Sequence, residues 1–136
     1  MTANRRRRSN DKEKHVLAPI EGAIVDKIQP LLQYVKPIPP PGSFAEVFLI
    51  LKNNTDRRLE GWLTIEPPKE RTIVPGTRLM IAIRPQGPIA AEFYLSIPAL
   101  PGPGPHLLQI KVTAEGDLVA KAAFDLRDGL LFLVEG

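Results

Sequence analysis

The only residues from which a serine-type hydrolase could be assembled are Ser9, Ser43 and Ser96 with His15 and His106. That chemistry needs a nucleophile, a base bonded to it and an acid that orients the base. Ser9 and His15 lie in or beside a strongly charged N-terminal stretch, and Ser96 sits inside an alternating apolar and polar run with no adjacent turn to expose it. No catalytic residue is expected, and the chain is read as non-enzymatic. The absence of Cys removes thiol nucleophiles, disulfides, zinc knuckles and cysteine-held iron–sulfur clusters. The two histidines are far apart and show no metal-ligand spacing. Glu115, Asp117, Asp125 and Asp128 are the candidates for calcium, which takes about six to eight oxygens, but Asp-rich turns also arise for backbone reasons alone. The expectation is no metal, no cofactor and no small-molecule substrate. Asn53, Asn54 and Thr55 form an N-glycosylation sequon beginning at Asn53; without a secretory signal they are read as a plain turn.

Residues suited to binding are easier to find. Arg5, Arg6, Arg7 and Arg8 can neutralise phosphates, although four charges give only weak, non-specific attachment to nucleic acid. Trp62 projects from the strand face opposite Leu59, Leu63 and Ile65, either as a platform for a partner or, the preferred reading, under cover of an N-terminal helix. Leu130, Leu131, Phe132, Leu133 and Val134 are consecutive apolar residues that as an exposed edge strand would invite aggregation. They are expected either to add to their own sandwich or, slightly preferred, to pair with another chain.

The elements that must hold these residues are short. The chain has 136 residues, enough for one domain, and its 15 Pro and 10 Gly exclude long helices from most of it. The charge is lopsided: residues 1–14 carry six basic side chains against two acidic ones, while the remaining 122 carry 12 against 13. A basic groove across the folded body is therefore not expected. Residues 1–14 are read as a disordered basic arm. Ile20, Ile24, Ile28, Leu31, Leu32 and Val35 recur at helical spacing, but Pro30 interrupts the stripe. The preferred reading is a short amphipathic helix over 19–29 rather than a strand. With a proline-rich connector at Pro39–Gly42 it makes an N-terminal segment, 15–42, ahead of a sandwich over 43–136.

From Phe44 onward, period-two alternation recurs between turns: a central strand over 44–52, then 59–66, a short edge at 71–74, 79–83, 91–97, and a hairpin of Leu108–Ala114 and Leu118–Leu126 turning at Gly116, with Leu118, Ala120, Ala122, Phe124 and Leu126 on the inner face. The inner faces predict a core of Val47, Leu49, Leu51, Leu63, Ile81, Phe93, Leu95, Ile110, Val112 and Phe124. About seven such strands argue an all-β, immunoglobulin-like antiparallel β-sandwich with one extra C-terminal strand.

The order of features also carries a resemblance. Asn53, Asn54 and Thr55 precede Leu59, Glu60, Gly61 and Trp62, and Pro67 and Pro68 close that strand. Arg84, Pro85, Gln86 and Gly87 lead into a strand ending at Ile97 and Pro98, followed by a Pro-Gly link into Leu107–Ala114. Over about residues 31–126 the chain resembles the immunoglobulin-like accessory modules of the CARDB and alpha-galactosidase-associated types, which are similar to the major sperm protein sandwich. The resemblance implies a spacer or binding role, carbohydrate binding included. Three functions stay open. The leading one is a protein-interaction or structural module that meets a protein partner or forms a homo-oligomer through sheet edges and chain ends. The others are a nucleic-acid-associated protein using the arginine arm, and a carbohydrate-binding accessory domain. No apolar run approaches the roughly 20 residues of a membrane helix, and no signal peptide is seen, so the expected location is the cytoplasm.

Overall fold

The computed structural model describes residues 13–25, 27–36, 39–68, 71–98 and 106–126. Among them are ten strands in two antiparallel sheets and no α-helix: β1 (Glu13–Leu17), β2 (Ile24–Val25), β3 (Ile28–Lys36), β4 (Phe44–Asn53), β5 (Leu59–Glu66), β6 (Ile73–Val74), β7 (Arg78–Ile83), β8 (Pro88–Ser96), β9 (Leu107–Ala114) and β10 (Asp117–Asp125). The first sheet has the order β1-β3-β4-β8-β6 and the second β2-β10-β9-β5-β7. β4 is central in its sheet, as its apolar run requires. Val47, Leu49 and Leu51 turn inward and are fully buried, whereas Phe48 and Ile50 face out and are half-buried.

The core lies between the sheets, where Phe93 and Phe124 are its largest fully buried side chains and all ten residues of the predicted core are buried. Burying a side chain of this size contributes about 1.5–3 kcal/mol. At Gly61, on β5, a Cβ would stand 1.8 Å from the Thr113 carbonyl oxygen of β9, so only glycine lets the two backbones approach this closely. The β9–β10 hairpin turns through Glu115 and Gly116, both at positive φ (56° and 86°), the pair of left-handed residues that a two-residue hairpin loop favours.

Three expectations change. The helix over 19–29 is absent: Glu21 and Gly22 make a turn, Ile24 and Val25 form β2 beside Lys121 and Ala120 of β10, and β3 has begun by Ile28. The spacing of four sets Ile20 before the turn, Ile24 on β2 and Ile28 on β3. Ile20 and Ile24 are exposed, and only Ile28 joins the core. Pro30 sits on β3 opposite Leu51, where its missing N–H is tolerated because β1 pairs with β3 only from Leu32 onward. Residues 13–36 are thus woven into both sheets rather than leading up to them, and the strand count exceeds seven. The third change is on β10, where a bulge between Leu118 and Ala120 turns Leu118 outward and buries Val119.

Candidate functional site

The predicted site residues do not converge. Arg5–Arg8 and Leu130–Val134 lie outside the described residues, as does Asp128. Trp62 lies on the outer face of the second sheet, half-buried, and in place of the expected helix the Arg78 guanidinium covers it, 3.9 Å from the ring centroid. Met80, directly opposite Trp62 on β7, is 75% exposed. Tyr94 is on the outer face of the other sheet, and Tyr34 is buried against His15 with ring centroids 5.5 Å apart. Trp62, Tyr94 and Tyr34, the chain's tryptophan and two tyrosines, therefore sit in three different environments and form no shared platform for a sugar.

The residues considered for hydrolysis and calcium are also dispersed. The Ser96 hydroxyl accepts the Thr72 N–H at 2.7 Å, and His15 stacks on Tyr34. Glu115 pairs with Arg57 at the hairpin turn. Asp117 and Asp125 occupy opposite ends of β10, about 26 Å apart at the usual strand rise. Among the described residues no group of three or more His, Cys, Asp or Glu could hold a metal ion. Nor does any described helix have the length and apolarity to cross a membrane.

Asn53 is more than a turn residue. Its side chain is fully buried at the end of β4, and Nδ2 donates to the carbonyls of Arg57, Ile83 and Arg84 at 2.8, 2.9 and 3.1 Å. Its Oδ1 accepts the Thr55 hydroxyl and N–H at 2.7 and 2.9 Å. In this fold the sequon's acceptor nitrogen is sealed inside the protein.

Two surfaces stand out instead, and neither is among the predicted sites. The first is the outer face of the first sheet. Val16, Phe44, Val74, Tyr94 and Leu31 are 36–53% exposed there, and Leu31, Ile50 and Ala90 form an unbroken apolar row across β3, β4 and β8. Tyr94 donates its hydroxyl to Glu92 Oε2 at 2.8 Å, and that bond together with the charges of Glu92 and Glu46 pushes the phenol pKa up. The second is a groove of about 640 Å³ at the upper end of this face, where the chain leaves β1 and crosses to β10. Pro19, Ile20, Ala23 and Val25 form one wall; Pro30, Leu31, Ile50 and Pro88 form the other. Its volume lies in the range of small-ligand sites, but its polar side chains, Glu21, Gln29 and Lys52, are few. The signal for both surfaces is present in the sequence as apolar residues at the outward positions of β3 and β4; assigning Ile20 and Ile24 to a helix hides it.

No protein-family model matches the chain, and no curated protein matches it in sequence.

Proposed function

We propose that the chain is a non-enzymatic protein-interaction or structural module, an immunoglobulin-like sandwich that contacts a second copy of itself through the apolar outer face of the first sheet and through Leu130–Val134. The fold reading is supported by the strand order. Leaving aside β1, β2 and β6, the order β3-β4-β8 opposite β7-β5-β9-β10 resembles an immunoglobulin-like frame, in keeping with a CARDB-like module. The functional reading rests on the outward apolar row of the first sheet and on Phe44 and Val74, which are exposed toward the other end of the same face. Monomeric proteins rarely leave contiguous apolar surface of more than a few hundred Å² in water. The test is sedimentation velocity of the intact protein beside a Phe44→Lys, Val74→Lys variant, both sites being solvent-facing. Concentration-dependent association that persists in high salt and is lost in the variant is expected. Equal association of the two proteins would overturn the reading.

One observation favours a second reading, attachment to nucleic acid. Arg78, Thr64, Lys111 and Lys121 stand in register across the outer face of the second sheet, beside Trp62. Cations next to an aromatic ring suit a single-stranded backbone and its bases. On this reading, affinity for a single-stranded oligonucleotide falls steeply with salt and weakens in a Lys111→Ala, Lys121→Ala variant. Absence of binding at low salt removes it.

A further inference from the structure

We infer that the groove between residues 19–25 and the outer face of the first sheet is the seat of Leu130–Val134 from a second copy of the chain. The inference rests on the self-association proposed above and names where Leu130–Val134 docks in it. Its basis is the chemistry of the groove and the geometry of the chain's exit from the fold.

The groove suits an apolar segment with little need of hydrogen bonds. Three of its wall residues, Pro19, Pro30 and Pro88, lack an N–H, and Ile20, Leu31 and Val25 are 39%, 36% and 45% exposed. It is open because β1 ends at Leu17, opposite Leu32, so the first four residues of β3 have no neighbour on that side in the sheet. Leu130–Val134 is an uncharged apolar run of five residues; the chain's two comparable runs, Val47–Leu51 and Leu79–Ile83, are already built into β4 and β7.

Reach decides between the chain's own run and that of a second copy. The last described residue, Leu126, leaves the fold beside His106, its N–H bonded to the His106 carbonyl at the lower end of the second sheet. From there to Leu130 an extended chain covers at most about 14 Å. The groove begins at the level of Ala123, whose carbonyl accepts the Ile20 N–H. That level is about 10 Å up β10, and the groove's wall on the first sheet, Leu31, Ile50 and Pro88, lies at least about 10 Å away across the two layers. A straight path uses the whole length, and the segment Ala18–Ile20, which links β1 to Ala123, lies across it. A chain detouring around this bridge cannot seat all five apolar residues in its own groove. A second copy approaches from outside with no such limit, and reciprocal exchange about a two-fold axis fills both grooves with identical contacts.

A complementation experiment tests this. One protein lacks residues 129–136 and keeps the groove; the other carries Leu31→Asp and keeps the run. Leu31 is partly exposed, so this variant should fold, and Ile20→Asp on the facing wall serves as a second version. Light scattering should show each protein alone as a monomer, with self-affinity at least about tenfold weaker than that of the intact chain, and a mixture of the two as a heterodimer. Two results would overturn the inference while leaving self-association standing: a dimer that survives both groove substitutions, or a mixture that stays monomeric although the intact chain dimerises. An intact monomer whose groove binds an apolar dye only after truncation would assign the groove to the chain's own run, and a monomer at all concentrations would remove both proposals.

Discussion

Asn53 shows how much one buried amide can hold. Its three carbonyl partners belong to the turn after β4 and to the end of β7, so the residue ties the two sheets together at their upper end. Asn53→Ala should cost about 2–4 kcal/mol in urea unfolding, because buried acceptors lose their donor. Asn53→Asp, of the same shape, should cost more, since it sets a carboxylate against three carbonyl oxygens. A loss under about 0.5 kcal/mol for both would mean that water replaces the amide. Arg71 makes the opposite case. It is 7% exposed, donates Nη1 to the Ser96 carbonyl at 3.0 Å, and its Nη2 meets no acceptor among the described residues. Burial pushes its guanidinium pKa down to about 10, so at neutral pH it remains charged and the fold bears the desolvation. Arg71→Met keeps the packed stem and removes the charge; stability should stay level or rise by up to about 1 kcal/mol, and a loss above about 2 kcal/mol would reveal a partner for the charge in solution.

At the scale of elements, the β9–β10 hairpin offers the sharpest prediction. Glu115 adopts φ 56°, a left-handed conformation that costs an ordinary L-residue about 1–2 kcal/mol and Asn less. Glu115→Asn should raise stability by about 0.5–1 kcal/mol in thermal unfolding, because the Arg57–Glu115 pair it gives up is solvent-exposed on both sides and worth little. A decrease would show that the ion pair matters more than the turn. Strands whose faces strictly alternate are legible in the sequence: β5 and β9 fall nearly at their expected bounds, and Phe93 and Phe124 point inward as their alternation requires. What escapes is whatever breaks the period. The bulge at Leu118 and Ala120 reverses one residue without any Gly or Pro to announce it. Ile20 to Ile28 imitates a helix because a turn and the starts of two strands happen to space three isoleucines by four. Asn53 reads as a solvated turn because an Asn-Asn-Thr triplet gives no sign that its first side chain points inward.

On the scale of the whole molecule, the outer faces of the two sheets differ. The second presents Trp62 under Arg78 together with Lys111 and Lys121, while the first presents the row Leu31, Ile50 and Ala90 at one end and Phe44 and Val74 at the other, with Glu46 and Glu92 between them. The sequence hints at this difference in the doubly apolar run of β4, but which side lacks cover depends on where residues 18–25 cross, and that only the fold reveals. An apolar sheet face, an open groove above it and an apolar run after the last described strand together argue for association, and the molar mass of the intact chain measures it. Light scattering across a concentration series should give about twice the 15.0 kDa of one chain in both low and high salt; a mass of one chain at every concentration would contradict the account.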